Sequence, residues 1–335
     1  MTSHRDRLQA CIRGQELDRP PVALWRHFPV DDQSATALAE AHLSFQSVYD
    51  FDLVKVTPAS SFSVRDWGTE EKWEGNPEGT RTYTKRVIRD PRDWEKLPVL
   101  EPNTPSLDLQ LQCLRLIRSH LREDTPVLQT VFNPLAQAKH LAGNATLLQH
   151  LRTAPEAVER GLATILETTR MFIEAATDTG IDGIFYAIQH AQPGLLSREE
   201  FLRLSREADL LLLQSARKLW CNVLHLHGES LMFDAAADYP TQIINWHDRE
   251  AGPSITEAGG LWRRALCGGL SRHILVYGTD QDVADEAMEA LATPERSRFV
   301  LSTGCVVPII APHGNIMAAR RAVELPGMAA GRRQP

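Results

Sequence analysis

The sequence predicts an α/β protein built as a single-domain (β/α)8 TIM barrel. Three observations lead there. Eight short β-rich runs alternate with longer helical patterns, and parallel strands need such crossover connections. No Ser/Gly linker, low-complexity block or repeat of about 20–50 residues divides the chain. Its 335 residues, 43% hydrophobic and 24% charged, suit one large domain or two moderate ones, and a barrel of ~250 residues or more is one unit. A doubly wound open sheet is the alternative topology for the same pattern.

The expected strands are residues 22–25, 53–57, 127–131, 183–187, 222–227, 242–246, 265–270 and 299–302. Most are rich in Val, Ile, Leu and aromatics and end in polar or Gly/Pro punctuation. Helical spacing of apolar residues marks 36–49, 108–121 and 154–179. Ser197 opens the run SREEF, a capping box in which Ser197 accepts from the third helical residue while Glu200 reaches back. Another helix is expected over 280–292, acidic at its start and stopped before Pro294. One stretch departs from the alternation. Residues 61–68 and 80–90, joined by a Gly/Asn/Pro-rich turn at 75–79, read as a β-hairpin inserted after strand two. In a barrel such an insertion sits over the active face. The barrel domain is expected over 1–325, with a frayed Gly/Arg-rich tail at 326–335.

Charge and composition exclude several functional classes. Lys plus Arg number 36 against 43 Asp plus Glu, a formal charge of -7, so nothing suggests a nucleic-acid surface. The N-terminus MTSHRDRLQACIRG lacks the apolar core of a secretory signal. The longest apolar stretches fall well short of the ~18 residues of a membrane helix. Five scattered cysteines, at 11, 113, 221, 267 and 305, do not form a disulfide framework, and a reducing cytoplasm is expected. Nucleophile-elbow, Walker and dinucleotide-binding fingerprints are missing.

If the barrel forms, chemistry belongs just past the strand ends. Read in order, those positions hold Arg26 and His27, Lys55 and Thr57, Asn133, Tyr186 and Gln189, His225 and His227, His247 and Asp248, and Cys305. The sharpest local signal is VLHLHGES, in which His225 and His227 are two apart and project to one face of a strand. Two such imidazoles reach one ion without backbone distortion. Zinc chemistry wants a third protein ligand and an open fourth position, and Cys305, after Gly304, is placed to supply the third from the eighth strand. The bland alternative is a packed histidine and a small buried thiol. Arg26 presents a planar fork for a carboxylate or phosphate, or else a surface ion pair. In QIINWHDRE, Asp248 is a carboxylate to orient His247 or a metal ligand, or a helix cap. Tyr186 and Gln189 read as pocket wall, with Tyr186 equally suited to the core.

Taken in order, DRPPVALWR, FDLVKVTP, VFNPLAQAKHLAG, VLHLHGES, IINWHD, LSTGCVVP and PHGNIMAARRAV resemble the uroporphyrinogen decarboxylase superfamily over about nine-tenths of the chain. The resemblance implies the (β/α)8 barrel with its cleft at the strand C-termini. It also implies one of two chemistries. The decarboxylases use no metal; an Asp binds pyrrole N–H groups and arginines hold carboxylates. On that pattern Arg26 matches the first Arg of M-R-Q-A-G-R, the second Arg is absent, the Asp would fall near Thr57 or Pro58 and is missing, a tyrosine becomes His140, and the histidine of N-L-G-H-G becomes Cys305. The zinc methyltransferases related to methylcobalamin:coenzyme M methyltransferase use His-x-Cys…Cys to bind a thiol, which attacks the methyl group of a corrinoid. On that pattern His225 matches the His, His227 replaces the first Cys and Cys305 matches the second. Glu229 or Asp248 would close the fourth position.

The expectation is therefore a zinc-dependent methyltransferase with metal ligands His225, His227 and Cys305. Arg26, His140, Tyr186, His247 and Asp248 are its further site residues. One zinc per chain is the cofactor, and a corrinoid is a methyl-donor substrate rather than a bound cofactor. The expected partners are a small thiol or anionic substrate, a corrinoid protein and a second copy of the chain. A cofactor-free carboxy-lyase acting on a tetrapyrrole and a non-catalytic corrinoid- or tetrapyrrole-binding module are the alternatives.

Overall fold

Strand formation follows the expected apolar runs closely. In the computed structural model, which describes residues 2–236 and 238–324, these runs make β1 (Val54–Val56), β4 (Val127–Phe132), β5 (Gly183–Ile188), β6 (Val223–Leu226), β7 (Ile243–Trp246), β8 (Ala265–Leu270) and β9 (Phe299–Thr303). They pair in parallel, in the order β1-β4-β5-β6-β7-β8-β9, as one seven-stranded TIM-barrel-like sheet. Helices such as Ala35–Tyr49, Pro105–His120, Pro155–Thr177 and Asp280–Leu291 connect them, each within a few residues of its expected span. The tail expected at 326–335 lies outside the described residues. No helix among the described residues is long and apolar enough to cross a membrane.

The strand expected at 22–25 does not form as such. Val22 makes only an isolated parallel bridge to Leu301. Ala23 donates to Leu301 O at 3.0 Å, Leu301 to Pro21 O at 2.9 Å, and Asp52 to Val22 O at 2.9 Å. The reason is local: Pro20 and Pro21 remove two backbone donors a longer ladder would need. The expected hairpin also shifts. Its arms are β2 (Glu70–Lys72) and β3 (Thr82–Lys85), an antiparallel pair. Residues 61–68, the expected first arm, instead turn through a 3-10 helix at Arg65–Trp67.

Side-chain parity sorts the interior into two environments. Leu53, Leu128, Phe185, Val223, Ile243, Ala265 and Val300 pack together inside the curl of the sheet, with Ala23 and Trp25. Their neighbours Val54, Val127, Ile184, Leu224, Ile244 and Leu266 belong to the larger core between sheet and helices. At the N-terminal end of the strands, buried Asp52 accepts from Arg7 at 2.6 Å, Arg19 at 2.7 Å, His4 at 2.9 Å and the Val22 N–H at 2.8 Å. The opposite end is left for the polar groups.

Candidate metal centre

Four ligand atoms converge at the C-terminal end of the strands. Those of His225, His227, His247 and Cys305 all lie within 4.8 Å of one another. His225 ends the inward row of β6 and His227 follows it by two; His247 continues the inward row Ile243, Asn245 of β7. Cys305 stands two residues beyond β9. Gly304 lets the chain through: a Cβ there would sit 2.6 Å from Trp246 O and from His247 Cα. His247 Nε2 is 3.2 Å from His227 Nδ1, and Cys305 Sγ is 3.8 Å from the same atom.

The neighbours of these groups set them up as ligands. In the register, His225 faces Asn245 and Asn245 faces Cys267. The Asn245 amide nitrogen donates to Cys267 O at 2.9 Å and Thr303 O at 3.0 Å, so its oxygen faces His225 Nδ1 at 2.7 Å. His225 Nδ1 must then carry the proton, which leaves a lone pair on Nε2. His247 is held likewise: its Nδ1 donates to Glu250 Oε2 at 3.0 Å, and Arg272 fixes Glu250 with bonds of 3.0 and 2.6 Å. Burial, and then the other two imidazoles, hold His225 well below the usual histidine range. Burial, then Lys139, lowers His227 to about 4. Both are neutral at pH 7, the form that coordinates metals. Burial opposes charge on His247, but the neighbouring Cys305 and the bond to Glu250 raise it overall.

A tetrahedral zinc with bonds of about 2.0–2.3 Å brings its ligand atoms to about 3.3–3.8 Å apart. The two separations above are close to that range, and the soft thiolate with imidazoles is a donor set zinc accepts. The residues fit the ion.

The cluster borders a cavity of about 330 Å³ lined by His225, His227, Cys305, His140, Lys55 and Lys139, among others. The hairpin contributes Glu78, Thr80, Arg81, Tyr83 and Arg86 to the same lining. Gly79 allows the hairpin turn to press on the site, since a Cβ there would meet His27 Cβ at 2.4 Å. Lys55 is only 6% exposed, and burial brings its ammonium down to about 7.

Three expected site residues lie elsewhere. Arg26 does not line the cavity; it stacks over Phe28 at 5.2 Å and reaches Ile309 O at 3.4 Å. Tyr186 is fully buried on the outer face, where its hydroxyl donates to Asp209 Oδ1 at 2.7 Å. Asp248 accepts from the Gly269 N–H at 2.9 Å and orients neither His247 nor another ligand; Glu250 is the carboxylate on His247. Glu229, offered for the fourth position, is exposed, and His247 is the fourth group at the cluster. One cause explains the three misplaced residues. Residues 26, 186 and 248 have the outward parity of their segments, whereas Trp25 and His27, Phe185 and Ala187, and Asn245 and His247 point in. Lys55, named among the strand-end positions, has the inward parity; of the groups not singled out by sequence, Asn245 shares that parity and Glu250 carried no local signal.

The family model for uroporphyrinogen decarboxylase (URO-D) matches residues 3–325. No curated protein matches the sequence. Among solved structures, a methyltransferase from Methanosarcina mazei superposes with a TM-score of 0.84 at 20% identity, covering 97% of this chain and 99% of that one. A B12-independent methionine synthase from Shewanella sp. W3-18-1, in complex with selenomethionine, gives a TM-score of 0.60 at 13% identity, covering 92% and 94%. At these identities the likeness is one of fold.

Proposed function

The chain belongs to the uroporphyrinogen decarboxylase family, and from that premise we propose that it is a zinc-dependent methyltransferase whose acceptor is a small thiol. We read the Val22 segment as the eighth stave of a closed barrel and the hairpin as an insertion over its mouth. The observation that carries the functional reading is the convergence of His225, His227, His247 and Cys305, with two of the imidazoles held by Asn245 and Glu250. His225, His227 and Cys305 would hold the ion, with His247 at the fourth position until substrate arrives. The chemistry supplied by zinc there is Lewis acidity, depressing a thiol's pKa so that it reacts as the thiolate.

The chain's own groups do the rest. Asn245 and Glu250 keep the imidazole lone pairs aimed at one point, so little reorganisation is needed. Trp25, Phe132 and Phe185 wall the cavity and keep water from a reacting sulfur. A volume of about 330 Å³ is at the lower end for ligand cavities and supports a small substrate rather than a tetrapyrrole macrocycle. We take a corrinoid as the methyl donor, approaching from outside the cavity. A B12-independent neighbour of the same fold makes a non-corrinoid donor the second one to assay.

The test is metal analysis of wild type beside His227→Ala and Cys305→Ala. We expect about one zinc per chain in wild type, loss in both variants, and zinc-dependent thiol methylation from methylcobalamin. A wild-type protein that takes up no zinc on reconstitution overturns this reading. The cofactor-free carboxy-lyase would then be assayed.

A further inference from the structure

The hairpin over the cavity is tied to the His/Cys cluster by a chain of ion pairs. Arg272 stands two residues beyond β8, at the start of the helix Arg272–Tyr277. Its fork faces two carboxylates at once. Nη1 pairs with Glu78 of the hairpin turn, while Nε and Nη2 hold Glu250 at 3.0 and 2.6 Å. Glu250 accepts from His247 Nδ1 at 3.0 Å, and His247 belongs to the cluster. Glu78, Arg272, Glu250 and His247 thus run in contact from the hairpin to a ligand atom.

One end of this chain is rigid and the other is not. The Ser271 N–H donates to Glu286 Oε2 at 2.9 Å, and the Asn315 amide holds Leu275 O and Gly278 O at 3.1 and 2.8 Å, so the segment that carries Arg272 is braced. The Arg272 side chain is 18% exposed, and the carboxylates it joins are 41% and 36% exposed. A guanidinium that holds a carboxylate with two bonds fixes its orientation as well as its charge. The hairpin is the mobile partner. β2 and β3 form a sheet of their own, apart from the barrel strands, and a lone two-stranded hairpin is marginal by itself. Its seat therefore depends on its anchors. Arg81 pairs with Asp32, and the Ile309 N–H donates to Pro77 O at 2.7 Å. The contact of Glu78 with Arg272 is the anchor that continues to the cluster.

We propose that Glu78 and Arg272 are positioning residues for His247, so that the hairpin seated on the cavity and His247 held toward the metal form one coupled state. This rests on the zinc reading above. With the hairpin down, Glu78 keeps Arg272 aligned on Glu250, and Glu250 keeps the His247 lone pair aimed at the cluster. With the hairpin raised, Arg272 loses one of its two carboxylates, Glu250 loses a fixed partner, and His247 turns more freely. Linkage makes the effect reciprocal: whatever a seated hairpin adds to zinc affinity, zinc returns to the seating.

The test uses the full chain and zinc itself. Glu78→Gln should weaken zinc about threefold or more and Glu250→Gln roughly tenfold or more, with the double variant no weaker than Glu250→Gln, because residues acting through one chain of contacts are not additive. Glu70→Gln breaks the hairpin's pair with Lys85 at 2.8 Å but lies outside that chain, and should keep wild-type affinity. With cobalt(II) in place of zinc, the visible spectrum of Glu78→Gln should move toward that of His247→Ala, and that of Glu70→Gln should not. Hydrogen exchange reads the reverse direction: zinc should slow exchange over residues 70–85 in wild type and fail to do so in Glu250→Gln. Circular dichroism verifies that each variant is folded. Wild-type zinc affinity in Glu78→Gln, additive losses in the double variant, or equal zinc protection of the hairpin in Glu250→Gln overturns the coupling and leaves the zinc site in place. A wild-type protein that takes up no zinc overturns both readings.

Discussion

Glu250 lies one turn beyond His247 and reaches the cluster only through that imidazole, so it tests the contribution of a supporting carboxylate. It is exposed, accepts from His247 Nδ1 at 3.0 Å and is held low, to about 2, chiefly by that bond. Removing a group that orients a ligating imidazole typically weakens metal affinity 10–100-fold. Glu250→Gln should therefore lower zinc affinity by roughly tenfold or more with little change in melting temperature, since exposed positions contribute little to stability. Chelator competition measures it. Unaltered affinity would show that His247 is not a ligand.

Between elements, two junctions make opposite predictions. Gly304 passes against β7, and Gly304→Ala would drive a Cβ to 2.6 Å from Trp246 O. Overpacking of this kind costs about 1–3 kcal/mol. Because the contact holds Cys305 beside His247, zinc binding should fall with it. Asp209 instead ties the helix Glu207–Ser215 to β5 on the outer face. Its carboxylate accepts from Tyr186 at 2.7 Å, Ser205 at 2.7 Å, Tyr239 at 2.9 Å and Asn133 at 3.2 Å. Asp209→Ala leaves three buried hydroxyls without their acceptor and should destabilise by about 3–5 kcal/mol, as breaking a buried network does. Folded Asp209→Ala should keep its zinc, because the network faces away from the cavity. Denaturant unfolding and metal analysis of the same sample separate the two effects.

At the scale of the molecule, buried histidines away from the ligand set couple stability to pH. Burial lowers His27, His42, His140 and His190 to about 3. His42 Nε2 accepts from the Thr57 N–H at 3.1 Å, and protonation would abolish that bond. His190 is fully buried with neither ring nitrogen bonded. An unfolded histidine titrates near 6.5. Between that value and about 3 the unfolded chain binds more protons, so this part of the stability is full above about pH 6.5 and falls as pH drops. The melting temperature should decline from pH 7 to pH 5, before most carboxylates titrate. A flat profile over that interval would mean these histidines protonate without unfolding.

Alternation of β-rich and helical runs was enough to anticipate the parallel sheet, because strand and helix periods are properties of local sequence. The spacing of His225 and His227, with Cys305 behind a glycine, likewise picked out three of the four groups that converge at the candidate site. Which side of a strand a residue occupies was also written in the sequence, but only relative to its neighbours. Treating every residue near a strand end as equivalent put Arg26, Tyr186 and Asp248 into a cavity that their parity turns them away from. The tertiary structure decided what depends on partners distant in the chain. Asn245 fixes a tautomer because Cys267 and Thr303 offer it carbonyls from β8 and β9. Lys55 is a buried cation with no carboxylate partner among the described residues. Pairing across strands sets both, and no local pattern encodes the absence of a partner.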